Sequence, residues 1–312
     1  MRYRASCTLL AALVLTAGCD SPVEFEDWWL DSPEVNDPSL NDPSYRLSTR
    51  PGMTEADLDR PVIIAAHGFT ASTYEWQEFR AYAESESEVL VSLVLLGAHG
   101  RSVDDFKLST WQQWGSPILE EYEALVSQGY TSISLAGSST GAALILEQLA
   151  SGHYQGPSSP RQFFFMDPLV VAGDKNLSLI PLLKYLVGNV VNAGTEEEAP
   201  HWYTNRPTAA LAELNALIGR VRSQLSRGVR LPPGSHAKVF KTTGDETADP
   251  VSALLIYKGL GTAAGGTIDV QMVDSRLHVF TRLNGRNPGT ITAADRERQQ
   301  QTFREMVQRA RQ

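Results

Sequence analysis

The stretch LAGSSTGAALI, residues 135–145, decides the fold, because two adjacent serines stand there between two glycines. The alternating run TSISL comes before it, and an alanine- and leucine-rich run follows it. The frame from Gly137 to Gly141 fits G-x-S-x-G, a tight strand-to-helix turn that exposes the hydroxyl of its middle serine above a sheet. That serine is Ser139, and Ser138 is the weaker candidate for a nucleophile. The pattern is weak by itself, so the surrounding sequence has to support it.

Outside this stretch, short apolar runs alternate with longer runs of helical periodicity. Strands are predicted at 61–69, 89–100, 131–137, 161–170, 237–245 and 266–274. Helices are predicted at 74–86, 111–130, 140–152, 250–261 and 292–312. Such alternation requires a parallel sheet covered on both faces. We therefore predict an α/β fold with a mostly parallel sheet, helices on both faces, and an inserted helical cap at about 170–235.

The N-terminus has the pattern of a targeting segment. Arg2 and Arg4 precede the apolar stretch ASCTLLAALVLTA, which is too short to span a bilayer comfortably. The following LTAGCD resembles the lipobox of bacterial lipoproteins, in which Cys19 is lipidated and becomes the new N-terminus. This predicts a signal peptide over 1–18 and a lipid anchor in the bacterial cell envelope, on the periplasmic face of the inner membrane or at the outer membrane. Asp20 favours the inner membrane, and the alternative is a short N-terminal helix with an incidental cysteine.

Charge and cysteine placement exclude several classes of function. The 312 residues carry a formal net charge of −9, and residues 20–50 hold eight acidic residues against two arginines. The rest of the chain is nearly balanced and has no basic stripe, which argues against nucleic-acid binding. The acidic, proline-punctuated composition predicts a tether over 19–53, before a single domain over 54–312. Because the two cysteines are Cys7 and Cys19, that domain has no disulfide and no cysteine-based metal site.

A serine nucleophile needs an imidazole to take its proton and a carboxylate to fix the tautomer of that imidazole. In a parallel sheet, ligands bind at the carboxyl ends of the strands, so residues that follow predicted strands are the candidates. His278 follows the last predicted strand and completes the order serine, acid, histidine. Asp245 follows the preceding strand and is the favoured acid. Asp249 precedes a proline and fits a helix N-cap, and Asp167, one strand earlier, stays open as an alternative acid.

The segment AAHGFT, residues 65–70, places a His-Gly pair directly after the first predicted strand. Backbone N–H groups at such a position can stabilise the oxyanion of a tetrahedral intermediate. Phe69 and Thr140 are the candidates for the two N–H donors. We interpret His67 and His99 as residues that support the loops in which they lie.

Together these residues resemble the α/β-hydrolase superfamily over roughly Pro61 to the C-terminus, and more closely its carboxylesterase and monoacylglycerol-lipase-like branch. The closer match rests on HGFTAS, LLGAHGRS and DETADPVSALLIY, and PTAALAELNALIGRVRSQL is similar to the helix that leads out of the cap in small bacterial carboxylesterases. The resemblance implies a serine esterase that needs no metal or cofactor. Its triad would be Ser139, Asp245 and His278, and its oxyanion donors would be Phe69 and Thr140.

The expected function is hydrolysis of short- to medium-chain esters, including monoacylglycerols, through an acyl-enzyme. A serine peptidase or thioesterase on the same fold is the alternative, and an inactive lipoprotein scaffold is the alternative of another class. The insertion contains LSLIPLLKYLVGNVV, which would expose a large apolar patch if it were solvated. We predict a cap over Ser139 in which Leu183 and Leu186 line an acyl pocket, unless the segment simply packs on the sheet.

Overall fold

The computed structural model describes residues 42–174, 189–191, 195–198, 200–203 and 205–312. The predicted signal peptide, most of the predicted tether with Cys19, and both Leu183 and Leu186 lie outside these residues. Within the described ranges, no helix is both long enough and apolar enough to cross a membrane.

Strands and helices alternate along the described chain. The strands are β1 (Val62–Ala66), β2 (Leu90–Val94), β3 (Ile133–Ser138), β4 (Gln162–Met166), β5 (Asn189–Val191), β6 (Asn205–Pro207), β7 (Val229–Arg230), β8 (His236–Thr242), β9 (Leu260–Gly261) and β10 (Asp269–Val273). The helices are α1 (Gln77–Glu86), α2 (Val103–Leu108), α3 (Trp111–Gln128), α4 (Ser139–Ala150), α5 (Thr208–Arg227), α6 (Val251–Gly259) and α7 (Ala293–Ala310). Every predicted strand and helix is present, with its ends shifted by a few residues.

A six-stranded sheet in the order β2-β1-β3-β4-β8-β10 forms the centre, and each neighbouring pair in it is parallel. The carboxyl ends of these strands therefore meet at one edge of the sheet. Two small pairs lie outside it, β5 with β6 antiparallel and β7 with β9 parallel. The prediction of a mostly parallel α/β sheet is confirmed.

The sheet is buried on both faces, and this explains its continuous apolar strands. Successive side chains of a strand point to opposite faces. In β1, Ile64 packs into the cluster that includes α3, α4, α5 and α6, whereas Ile63 packs into the cluster that includes α1 and α7. In β4, Phe163 and Phe164 divide between the same two clusters. The helices predicted for both faces are therefore in place.

The end of the predicted tether differs from the expectation. The prediction extends the tether to residue 53, but Leu47 is only 2% exposed and belongs to the core. The N–H of Leu47 donates to Ser92 Oγ at 2.9 Å, and the carbonyl of Tyr45 accepts from the N–H of Leu93 at 2.8 Å. The boundary at residue 53 is wrong, because this segment buries an apolar side chain and hydrogen-bonds to β2.

The predicted end of the cap also differs. Helix α5 lies inside the range of about 170–235 assigned to the cap, yet it belongs to the helical layer on the sheet. Its residues Leu214, Leu217 and Val221 are buried in the core cluster shared with α4. The cap boundary near residue 235 is therefore too late, because the apolar face of α5 is buried against the other helices on this face of the sheet.

Candidate active site

The turn between β3 and α4 has the geometry that the glycine-serine pattern predicts. Ser139 has a φ of 49°, a left-handed conformation that is strained for a residue with a Cβ. The flanking glycines allow the backbones to approach. A Cβ on Gly137 would lie 2.6 Å from Ala142 N, and one on Gly141 would lie 2.4 Å from the carbonyl oxygen of Ala66. Larger residues at either position would force the turn apart.

The two adjacent serines have different environments. Ser138 is fully buried, and its hydroxyl donates to Glu75 Oε1 in a short hydrogen bond while accepting from Trp76 Nε1 at 3.1 Å. Ser139 is 5% exposed and begins α4 at the carboxyl edge of the sheet. The Ser138 hydroxyl is therefore committed to internal contacts, and Ser139 is the serine at the edge where ligands bind.

Glu75 lies beneath the turn between β3 and α4 and hydrogen-bonds to it. The sequence does not predict this residue. Its Oε1 accepts the N–H of Gly68 at 2.8 Å as well as the hydroxyl of Ser138. It thus ties the loop that carries Phe69 to the nucleophile turn. The sequence contained little signal for this role, because a glutamate at the start of the predicted helix 74–86 is typical of a solvated first turn.

The structure brings His278 and Asp245 together at the ends of β10 and β8. The Nδ1 of His278 donates to Asp245 Oδ2 at 2.7 Å, which leaves Nε2 as the acceptor on the other side of the ring. The other carboxylate oxygen, Oδ1, accepts from the backbone N–H groups of Thr247 at 2.8 Å and Ala248 at 3.1 Å. The carboxylate is therefore fixed in one orientation, and it fixes the imidazole.

The ionisation of Asp245 follows from this environment. Burial opposes the charged form, but the hydrogen bond and charge of His278, together with the charge of Lys241, outweigh burial and hold the pKa of Asp245 well below its usual range. The result is a buried carboxylate that stays charged beside the imidazole, as a partner of a catalytic histidine must.

The two other candidate acids have different partners. Asp249 Oδ1 accepts the N–H of Val251, the first residue of α6, at 2.9 Å, although the N-cap position itself is Pro250, one residue later than predicted. Asp167 is buried after β4, and its Oδ2 accepts the N–H of Val279 at 2.9 Å. Asp167 thus holds the backbone next to His278, while Asp245 contacts the imidazole itself.

Of the two candidate oxyanion donors, Thr140 follows Ser139 directly, and Phe69 lies in the loop that approaches Ser139. Thr140 is the second residue of α4, and the first N–H groups of a helix have no acceptor within it. Phe69 follows Gly68, at which a Cβ would lie 3.1 Å from the Cβ of Ser139. The loop after β1 therefore runs close against the nucleophile turn, where the partial positive charge of the α4 N-terminus also favours an anion.

The two loop histidines are neutral and internal. The Nδ1 of His67 donates to the carbonyl of Gly68 at 2.9 Å, and its Nε2 accepts the N–H of Leu96 at 3.0 Å. Burial, and then the neighbouring His99, lower the pKa of His67 well below its usual range. Burial lowers the pKa of His99 to about 4. These rings connect the loops after β1 and β2.

The described part of the insertion packs over the carboxyl edge of the sheet. The N–H of Tyr203 donates to the carbonyl of Thr70 at 2.9 Å, and its hydroxyl accepts the N–H of Arg101 at 2.9 Å. Glu198 forms an ion pair with Arg282 at 2.6 Å. These contacts reach the loops after β1, β2 and β10, at the sheet edge that carries Ser139, Asp245 and His278.

One cluster has the spacing of a metal site. Single ligand atoms of Asp167, Asp245 and His278 lie within 4.8 Å of one another. The ammonium group of Lys241 pairs with both carboxylates, because its Nζ lies 3.0 Å from Asp167 Oδ1 and 2.5 Å from Asp245 Oδ2. The sequence did not point to Lys241, since a lysine near the end of a predicted strand is typical of a solvated position.

Solved structures supply the comparison with known proteins. One of the two metagenome-derived lipolytic enzymes LipS and LipT superposes with a TM-score of 0.60 at 19% identity, over 79% of this chain and 94% of its own. The monoacylglycerol lipase of Paleococcus ferrophilus gives a TM-score of 0.59 at 11% identity, over 80% and 96% of the two chains. A soluble variant of the Saccharomyces cerevisiae monoglyceride lipase, bound to a substrate analogue, gives 0.58 at 10%, over 83% and 87%.

This chain has the α/β-hydrolase fold. No protein-family model and no curated protein sequence matches it. At such low identity the superpositions show the architecture, and the activity has to be argued from the site.

Proposed function

We propose that this protein is a serine hydrolase that cleaves carboxylic esters. The observation that supports this most directly is the 2.7 Å hydrogen bond from His278 Nδ1 to the buried Asp245, at the same sheet edge as the strained turn of Ser139. A hydroxyl on such a turn, an imidazole with a fixed tautomer and a charged carboxylate are the parts that acyl transfer requires.

In the proposed reaction, the Oγ of Ser139 attacks the ester carbon while Nε2 of His278 takes the hydroxyl proton. Asp245 stabilises the imidazolium that forms. The carbonyl oxygen becomes an oxyanion, which accepts from the N–H groups of Phe69 and Thr140. His278 then returns the proton to the leaving alkoxide, and an acyl-enzyme remains. Water attacks the acyl-enzyme in the same way, with His278 again as the base, and releases the acid.

The proposed substrates are short- to medium-chain esters, including monoacylglycerols. Two solved structures with this fold carry the names monoacylglycerol lipase and monoglyceride lipase. The inserted segment contributes dense apolar sequence over 177–191, of the kind that lines acyl pockets. Thioesters and peptides undergo the same acyl transfer, so a thioesterase or peptidase is the second candidate.

We also propose that the enzyme is a lipoprotein of the bacterial cell envelope. The support is the sequence LTAGCD, with Cys19 as the acylated residue. The acidic segment between Cys19 and residue 42 would then separate the enzyme from the membrane while keeping it close to amphiphilic esters.

A substrate panel tests the proposed reaction. Parent protein is assayed on p-nitrophenyl esters of increasing acyl length, with matched thioester and anilide substrates, and is then treated with a fluorophosphonate. We expect ester hydrolysis to dominate and the phosphonyl group to appear on the peptide that contains Ser139. Preferred cleavage of the thioester or anilide would replace the esterase with the second candidate. A protein that neither turns over any substrate nor reacts with the fluorophosphonate would be an inactive scaffold.

A further inference from the structure

A buried lysine connects the candidate acid to a second carboxylate. Lys241 lies near the end of β8, and its side chain is inaccessible to solvent. Its Nζ lies 3.0 Å from Asp167 Oδ1 and 2.5 Å from Asp245 Oδ2. A buried ammonium is strongly unfavourable unless it is paired, and here it has two anionic partners that are themselves inaccessible to solvent. Neither the proposed triad nor the pair of oxyanion donors includes this residue.

Lys241 contacts the same carboxylate oxygen that His278 uses. Oδ2 of Asp245 accepts from both Nζ of Lys241 and Nδ1 of His278, whereas Oδ1 is occupied by backbone N–H groups. The lysine thus acts on the oxygen that orients the imidazole. Its positive charge stabilises the ionised carboxylate, and its hydrogen bond helps to orient Oδ2 of Asp245.

Asp167 is the second carboxylate, and it organises two strand ends. Its Oδ1 accepts the N–H and the hydroxyl of Thr242, each at 2.8 Å, and its Oδ2 accepts the N–H of Val279 at 2.9 Å. A cation between two buried carboxylates favours the charged form of each. Lys241 supplies that cation for Asp167 and Asp245.

Two other charged groups face this network. Arg286 donates to the carbonyls of His278 and Val279, and the charges of Asp167 and Glu75 reach its guanidinium. Burial, together with the nearby Arg282, lowers the pKa of Arg286 to about 10, so the guanidinium stays charged near neutral pH. Every variant considered below retains Arg286 and Glu75, so the variants differ from the parent only at the substituted residue.

We propose that Lys241 is a positioning residue, whose ammonium is the shared counter-charge that keeps Asp245 ionised and aimed at His278 while Asp167 holds the adjacent loop. The proposal rests on the proposed function in one respect, since it takes Asp245 and His278 as the catalytic pair. Lys241 acts through Asp245 and does not touch the substrate.

Two substitutions should move the pH profile in opposite directions. Lys241→Met removes a cation that shares Asp245 Oδ2 with the imidazole, so the aspartate-histidine pair binds its proton more tightly, and we expect the acid limb of kcat/KM to rise by about one to two pH units. Asp167→Asn leaves the full charge of Lys241 to act on Asp245, and we expect the limb to move to lower pH by about one unit. Lys241→Arg keeps the charge and should retain the parental limb. A purely structural role would lower kcat at all pH values without moving the limb.

Lys238→Met is the matched control. Lys238 lies on the same strand, and its ion pairs are with Asp269 and Glu305, each at 3.2 Å. Its removal also breaks two partly buried ion pairs, but these are not with residues of the candidate site. We expect it to lower stability and to leave the pH profile unchanged.

The experiment combines pH profiles of ester hydrolysis with the titration of the His278 ring, followed by proton NMR in the absence of substrate. Opposite shifts in Lys241→Met and Asp167→Asn, in both readouts, support the proposal. An unshifted profile in either folded variant, or a shift in Lys238→Met of the same size, overturns it. If Lys241→Met does not fold, the shift of Asp167→Asn to lower pH decides alone. If the parent protein hydrolyses no ester, the proposed function is refuted. Opposite shifts of the two variants in the NMR titration would then still support the role of Lys241.

Discussion

The two adjacent serines should respond to alanine in opposite ways. Ser139→Ala removes the nucleophile, and we expect hydrolysis to fall by at least about 10³-fold. The free energy of unfolding should change little, because alanine and serine have a Cβ at the same strained φ. Ser138→Ala should keep the rate within about tenfold of the parent, since its hydroxyl faces the interior, but it should destabilise the protein.

The cost of Ser138→Ala can be worked out from its contacts. The substitution removes the hydroxyl that donates to Glu75 and accepts from Trp76. Each partner retains one other hydrogen bond, at 2.8 Å from Gly68 N to Glu75 and at 3.0 Å from Trp76 Nε1 to the carbonyl of Ala66. Neither is left wholly unpaired, so we expect a loss of about 1–3 kcal/mol in the free energy of unfolding.

The assay measures both quantities on the same preparations. Urea unfolding followed by tryptophan fluorescence gives the stability, and initial rates on p-nitrophenyl butyrate give the activity. A Ser139→Ala variant with the parental rate would remove Ser139 from the proposed mechanism. A Ser138→Ala variant that is as stable as the parent but inactive would mean that the frame of the turn was assigned one residue too late.

The other predictions concern the acid, the anchor and the acyl pocket. Asp245→Asn should lower kcat by about 10³–10⁴-fold, whereas Asp249→Asn should leave kcat nearly unchanged. Because the pKa of Asp245 is lowered in the folded state, its ionisation stabilises the fold above about pH 4 and less so as the pH falls further; acid unfolding titrations should show a smaller loss in Asp245→Asn than in the parent. Cys19→Ser should abolish acylation, and an unmodified mature cysteine in mass spectra of the parental membrane fraction would contradict the anchor. Leu183→Trp or Leu186→Trp should reduce kcat/KM more for an eight-carbon ester than for acetate, and an unchanged ratio would mean that neither residue faces the acyl chain.

Much of the fold could be predicted from the sequence because the sheet is buried on both faces. Residues such as Ile63 and Ile64 are apolar in succession only when each face of a strand is covered, and this indicates a parallel sheet. The six-residue helix α2 was missed, since less than two turns of helix carry too little periodicity to identify. The packing of Leu47 was missed because one apolar residue in an acidic segment has no pattern.

For the candidate site, the order of residues along the chain predicts which of them follow strands, but it does not predict the buried charged partners of these residues. Strand ends in a parallel sheet converge, so Asp245 and His278 could be named from their positions alone. Lys241 and Glu75 could not, because a lysine and a glutamate are normally solvated and only the surrounding structure shows that they are buried. Such residues acquire their roles from partners that are distant in sequence.

The segment before β1 also limits how far the protein can be shortened from its N-terminus. In the described sheet, β2 is the outermost strand on one side, and Tyr45, Leu47 and Arg50 hydrogen-bond to it. The carbonyl of Tyr45 accepts from Leu93 N at 2.8 Å, and Arg50 Nη2 donates to the carbonyl of Val91 at 2.6 Å. Removing these residues would leave unpaired backbone groups that can template pairing with another chain. Cleavage after residue 50 would therefore release a domain prone to aggregate through β2.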